Sequence, residues 1–102
     1  MSIKNTLLTT AATTILRSEL TNAVTAMYFC NTSSGPQTFS VYALPAGEVA
    51  DISNVIYYNI QISPTDTFVL DTERLILDDG DSIVAIATQS NVIVATISYV
   101  GV

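Results

Sequence analysis

The sequence contains no histidine and no tryptophan, and only 12% of its 102 residues are charged. Without histidine the chain lacks the usual general base for a serine or cysteine nucleophile. The low charge also leaves few groups for other acid–base chemistry. We therefore expect no catalytic residues, no cofactor and no enzymatic activity.

Basic residues are equally scarce, since Lys4, Arg17 and Arg74 stand against nine acidic residues and the net charge is −6. Affinity for a phosphate backbone comes from clustered lysine and arginine, so we expect no nucleic-acid partner. No apolar run approaches the roughly 20 residues needed to cross a bilayer, and threonines interrupt the first sixteen residues repeatedly. We therefore expect no membrane partner and a protein made in the cytosol.

Cys30 is the single cysteine, which excludes a disulfide within the chain. It lies in an apolar run at residues 26–30, so we expect it to pack as a small hydrophobic side chain. The next three residues, Asn31-Thr32-Ser33, match the glycosylation pattern, but without a secretion signal the match carries no weight.

The composition that remains is typical of an all-β protein. Short segments rich in Val, Ile, Thr, Tyr and Phe are separated by turn residues, and the chain length suits one domain. This spacing predicts a single antiparallel β-sandwich over residues 1–102, jelly-roll or immunoglobulin-like, with seven or eight strands. The predicted segments are 6–16, 23–31, 37–44, 53–62, 67–71, 74–77, 82–88 and 92–100, with a short helical turn considered at 53–57.

The first sixteen residues leave two alternatives open. Their β-branched pattern breaks near Ala11 and Ala12, which fits one bent strand of this chain. The same pattern also fits an arm, or a strand exchanged with a neighbouring subunit.

The predicted strands are apolar on both sides, because successive side chains alternate between the two faces of a strand. An isolated antiparallel sandwich usually has polar outer faces, so we expect another subunit to cover one. The sequence thus predicts a homo-oligomer, with a trimer as one option. The last segment shows the pattern, with Val92, Val94 and Val100 on one side and Ile93, Ala95, Ile97 and Tyr99 on the other. The aromatic residues predicted for the subunit interface are Tyr28, Phe29, Tyr42, Tyr57, Tyr58 and Tyr99.

Two acidic groups are weak candidates for chemistry. Asp78, Asp79 and Asp81 flank Gly80 and resemble a cation-binding turn, although aspartate and glycine also favour β-turns for backbone reasons alone, which is the interpretation we favour. Asp71 and Glu73 are formally an acid–base pair for a glycoside, but the adjacent Arg74 is expected to balance their charge instead.

The order of turns and strands resembles small virion structural proteins of tailed bacteriophages, especially those of cyanobacterial phages. The resemblance rests on residues 27–34 (Met-Tyr-Phe-Cys-Asn-Thr-Ser-Ser), on 39–47 ending in Pro-Ala-Gly, on Phe68-Val69-Leu70-Asp71, on the Gly80-Asp81 turn and on the ending at 96–102. These motifs contain no catalytic signature, although their order covers most of the chain.

This resemblance implies a virion component that is assembled in the host cytoplasm. The first expectation is a capsid decoration, or cement, protein that forms homo-oligomers and braces the particle. The alternative is a neck, tail-fibre or baseplate module that recognises host-surface glycans. The implied partners are further copies of the chain together with the major capsid protein or tail and neck proteins.

Overall fold

The computed structural model describes residues 2–70 and 75–102, which form nine strands and no helix. The prediction of an all-β sandwich is confirmed. Within these residues there is accordingly no helix with the length and apolar character needed to cross a membrane. The strands are β1 (Ser2–Leu7), β2 (Thr13–Arg17), β3 (Asn22–Asn31), β4 (Gln37–Leu44), β5 (Val55–Ile62), β6 (Thr67–Leu70), β7 (Leu75–Leu77), β8 (Ser82–Ala87) and β9 (Ile93–Gly101).

The strands form two antiparallel sheets that pack against each other. Sheet A has the order β1-β9-β3-β6, with β7 also paired to β3, and sheet B has the order β2-β8-β4-β5. The chain thus folds back on itself, because β1 pairs with β9, β2 with β8, β3 with β6 and β4 with β5. This double-sheet arrangement of eight strands is a jelly roll, with β7 as a short addition, and the strand order decides against the immunoglobulin-like alternative.

The N-terminal stretch forms two strands in different sheets, which raises the strand number above the predicted seven or eight. Strand β1 pairs with β9 in sheet A, and β2 pairs with β8 in sheet B. Between them, Leu8 is wholly buried and its amide donates to the carbonyl of Ile93 at 2.9 Å. In this structure both strands pair within their own chain, and exchange between subunits stays a prediction.

The helical turn considered at residues 53–57 is not formed. Instead, the amide of Asn54 donates to the carbonyl of Asp51 at 3.1 Å and closes a turn, after which β5 begins at Val55. The β-branched pair Val55-Ile56 favours the extended backbone, which explains the early start of the strand.

Aromatic rings from both sheets meet in the core. Phe29 of sheet A stacks on Phe39 of sheet B with ring centroids 4.3 Å apart, and both side chains are almost entirely buried. Phe68 then meets the edge of Phe39 at 5.8 Å, and Tyr57 meets Phe68 at 6.5 Å. Offset and edge-to-face contacts of this kind are favourable beyond the area they bury, so these four rings hold the two sheets together.

A buried asparagine at the end of β3 also links the sheets. The side-chain amide of Asn31 donates to the carbonyls of Gly35 at 2.9 Å and Ile62 at 3.0 Å, while its oxygen accepts from the amide of Ser33 at 2.9 Å. Asn31 is 0% exposed. The side chain therefore shapes the turn after β3 and fastens it to the end of β5 in sheet B.

A second polar cluster lies at the opposite end of β3. Asn22 donates from its side-chain amide to the hydroxyl of Ser18 at 2.9 Å, and that hydroxyl donates to the carbonyl of Leu77 at 3.2 Å. Both residues are buried. Among the described residues, every buried side-chain nitrogen and oxygen has a hydrogen-bond partner, as a folded core requires.

Replacing Asn31 tests the link between the sheets. The variant Asn31→Ala is expected to lower the free energy of unfolding by about 2–4 kcal/mol, because it leaves buried carbonyls without donors. The matched control is Gln61→Ala, which removes an exposed amide from the neighbouring β5 strand and should cost less than about 0.5 kcal/mol. Urea unfolding of both variants provides the measurement, and equal losses would contradict the role given to Asn31.

Candidate interaction surface

The register of sheet A defines which side chains share its outer face, because residues directly opposite each other in antiparallel strands point the same way. Phe29 points into the core, so its neighbours Tyr28 and Cys30 point outward. Following the register from these two residues across the sheet gives the whole set. Thr25 lies in the β3 bulge and belongs to the set as well, because its hydroxyl donates to that of Ser98 at 2.9 Å. The outer face of sheet A consists of Ile3, Asn5, Leu7, Ala23, Thr25, Ala26, Tyr28, Cys30, Thr67, Val69, Ile76, Val94, Thr96, Ser98 and Val100.

Large apolar side chains of this face are open to solvent. Ile3 is 70% exposed and Ile76 is 62% exposed, while Leu7, Tyr28 and Val69 also retain a large part of their surface. Isolated exposed hydrophobic residues are ordinary, but a contiguous group of them marks an interaction site. Tyr28 and Val69 lie directly opposite each other on β3 and β6, and Ile76 lies on β7, which also pairs with β3. Ile3 and Leu7 lie on β1, and β9 with Val94 and Val100 lies between them and β3. The five are therefore members of one sheet face that is apolar in large part.

The outer face of sheet A is also free of charge among the residues that the structure describes. Lys4 lies on β1 but pairs with the buried Ile97, so it points to the opposite side of the sheet. The polar members of the face are the small side chains of Asn5, Thr25, Thr67, Thr96 and Ser98, and Thr96 donates to Asn5 at 2.8 Å. The surface is thus apolar and hydroxyl-bearing, and none of its described residues is charged.

The outer face of sheet B is different. Its central residues Val84 and Leu44 are only 4% and 7% exposed, and Ser40 accepts a hydrogen bond from the amide of Asn59 at 2.9 Å. Arg17 contributes a charge at the end of β2. Val84 and Leu44 of sheet B are therefore covered by the chain itself, whereas Ile56 and Tyr58 on its edge strand β5 are 38% and 56% exposed. The exposed apolar residues of sheet A are spread over β1, β3, β6 and β7 instead of one edge strand.

The six aromatic residues predicted for the interface do not share one surface. Phe29 is wholly buried in the core, so its ring has no surface to offer to a partner, and Tyr57 and Tyr99 pack against the core. Tyr42 is half-buried and pairs with Val84 on the outer side of sheet B, while Tyr58 is exposed on the edge strand β5. Tyr28 alone of the six lies on the outer face of sheet A.

Strand β9 is apolar throughout on only one of its two sides. Ile93, Ala95 and Ile97 are buried as predicted, but Thr96 and Ser98 stand between Val94 and Val100 on the other side. Val92 precedes the strand and packs against the core instead. The interface prediction named only aromatic residues and therefore missed Ile3, Leu7, Val69 and Ile76. Alternation of side chains along β1, β6 and β7 places these four on the outer face of sheet A.

The acidic turn at Asp78–Asp81 uses its carboxylates to bind backbone amides. Asp81 accepts from the amides of Ala46 and Asp78, each at 3.0 Å, and Asp79 accepts from the amide of Leu20 at 3.1 Å. Gly80 has a φ of +89°, and a Cβ at that position would lie 3.0 Å from the Cβ of Ala46. These contacts give the turn a structural role.

No metal-binding group is formed by the described residues, where no three Cys, Asp or Glu side chains come together in a suitable cluster. The predicted acid–base pair Asp71 and Glu73 lies outside the described residues, as does Arg74. Cys30 is half-buried on the outer face of sheet A instead of packing in the core.

Comparison with known proteins adds no relative, since no family model, no curated protein and no solved structure matches the chain. The resemblance to phage virion proteins therefore stays a prediction.

Replacing Asp81 separates a structural turn from a cation site. We expect Asp81→Ala to lower the free energy of unfolding by about 1–3 kcal/mol, since two amides lose a charged acceptor. Asp79→Ala serves as the control and should cost less, because only one amide is affected. Both losses should be the same with and without millimolar calcium in thermal unfolding. A calcium-dependent rise of the unfolding midpoint that Asp81→Ala removes would contradict this role.

Proposed function

We propose that the protein is a structural component of a bacteriophage particle, and first a capsid decoration subunit that self-associates and braces the shell. The observation that carries the proposal is the apolar outer face of sheet A, none of whose described residues is charged. Such a face is unfavourable in water and becomes favourable when a neighbouring protein covers it. A protein built to be covered by neighbours fits a role in assembly.

The distribution of polar groups supports adhesion over chemistry. Side-chain oxygens of Asn31, Asp79 and Asp81 accept hydrogen bonds from backbone amides, and these bonds shape the fold. The outer face of sheet A adds hydroxyl and aliphatic groups, without a nucleophile–base pair among its described members. The outer face of sheet A therefore contributes to the proposed function by providing contact area.

The energetics suit a component present in many copies. Burying apolar surface contributes about 25 cal/mol per Å², so a single small interface is modest. Particle symmetry repeats the contact and raises the effective concentration of each further one, which strengthens attachment without new chemistry. Weak individual contacts are sufficient for a subunit that braces a shell.

The fold supports the proposal by analogy only. Jelly rolls form viral capsid and lectin domains among others, and one fold serves many functions. The rings of Tyr28 and Tyr58 lie on different sheets, so they do not form one stacking platform for a sugar. The glycan-recognition alternative therefore has no observation of its own in its favour.

The test is made on particles of the phage that encodes this chain. Mass spectrometry of gradient-purified particles is expected to find the chain in many copies, and cryo-electron microscopy is expected to place a domain of this size on the capsid. Density on the neck, tail fibre or baseplate would overturn the decoration role, and absence from purified particles would overturn the virion proposal.

Substitution on the outer face of sheet A connects this test to the structure. Phage carrying Ile76→Asp is expected to yield particles that lack the chain, because a charge on this face opposes its burial. Phage carrying Gln61→Asp is the control, since Gln61 is exposed on sheet B, and its particles should keep the chain. Equal retention of both variants would show that incorporation into the particle does not depend on the outer face of sheet A.

A further inference from the structure

We infer that the outer face of sheet A packs against the same face of a second copy of this chain, forming a twofold dimer whose two sheets A lie in contact. This inference rests on the proposed function in one respect, namely that the outer face of sheet A is an assembly surface. Beyond the proposed function, it identifies the partner on this face as a second copy of the chain.

The placement of charge favours a second copy. Every acidic residue that the structure describes lies in a loop or turn and none lies in a strand, as the positions of Glu19, Glu48, Asp51, Asp66 and the Asp78–Asp81 turn show. Two chains of net charge −6 can therefore bring their sheets A together with the acidic loops at the margins. A basic partner, by contrast, would find on this face no charge from the described residues to complement its own.

The size of the face is sufficient for a specific but weak dimer. Its four strand positions are spaced about 4.8 Å apart, and their strands extend from roughly 20 Å for the six residues of β1 to roughly 33 Å for the ten residues of β3, so the flat area is roughly 500 Å² per chain. Two such faces bury about 1,000 Å², which is the area that a specific interface needs at a minimum. Sheets that stack face to face lie about 10 Å apart, as the two sheets of one sandwich do.

Tyr28 is the central anchor of this face. It lies opposite Thr96 on β9 and Val69 on β6, so other members of the face surround it. The residue is 40% exposed. A tyrosine at the centre of an interface, surrounded by contacts that exclude water, is typical of residues that contribute most to binding.

Sedimentation velocity on the full chain tests the inference. We expect the wild type to approach twice the 10.9 kDa chain mass, with a dissociation constant in the micromolar range. Thr96→Asp should raise that constant at least about 100-fold, since it buries two carboxylates near the twofold axis. The matched control is Thr38→Asp, which adds the same charge to the outer side of sheet B and should leave association unchanged.

Cys30 provides a second readout that does not depend on mass. It is half-buried on the outer face of sheet A and is the single thiol of the chain. Its reaction with a maleimide should slow several-fold as protein concentration rises in the wild type and in Thr38→Asp. In Thr96→Asp the rate should not depend on concentration. Circular dichroism and thermal unfolding would show that both variants remain folded.

Several results would overturn the inference. It fails if the wild type remains monomeric at high concentration or has the mass of a trimer. It also fails if Thr38→Asp disrupts association and Thr96→Asp does not. The proposed function is tested separately on particles: a monomer found on the capsid refutes only the pairing, and a dimer absent from particles refutes only the virion role.

Discussion

The packing of Phe29 on Phe39 across the two sheets determines which side of each central strand faces the core. It directs Phe29 of β3 and Phe39 of β4 inward, and the alternation of a strand then directs Tyr28 and Cys30 outward. A shift of the pairing by one residue would expose every core side chain of a strand, so the register is strongly determined. The composition of the outer face of sheet A follows from this core contact.

The sandwich leaves the two sheets in unequal environments. Sheet B buries its outer residues Val84 and Leu44 and exposes Ile56 and Tyr58 on its edge strand, whereas sheet A leaves Ile3 and Ile76 open to water. The acidic residues that the structure describes lie in loops and turns and not in strands. This separation leaves the described part of the outer face of sheet A without acidic side chains.

Polar motifs that resemble functional sites in the sequence are used by the fold instead. Asn31 heads a glycosylation pattern, yet its side chain is buried and binds the carbonyls of Gly35 and Ile62. Asp81 belongs to an acidic turn that resembles a cation site, yet its oxygens accept from backbone amides. In both cases the hydrogen-bonding capacity of the side chain satisfies turns that join strands of different sheets.

The fold class, most strand positions and the turns were predictable from the residues alone, because strand propensity, glycine, proline and asparagine act over a few residues. Apolar side chains on both faces of the strands also predicted exposed apolar surface. The folded structure was needed to show that the N-terminal stretch divides between two sheets, that Phe29 is core while Tyr28 is surface, and that the open face belongs to sheet A. These three features depend on which strands pair and on which face of each sheet packs against the other sheet. Pairs such as Ile3 and Ser98 are far apart in the sequence, so the local residue pattern does not predict them.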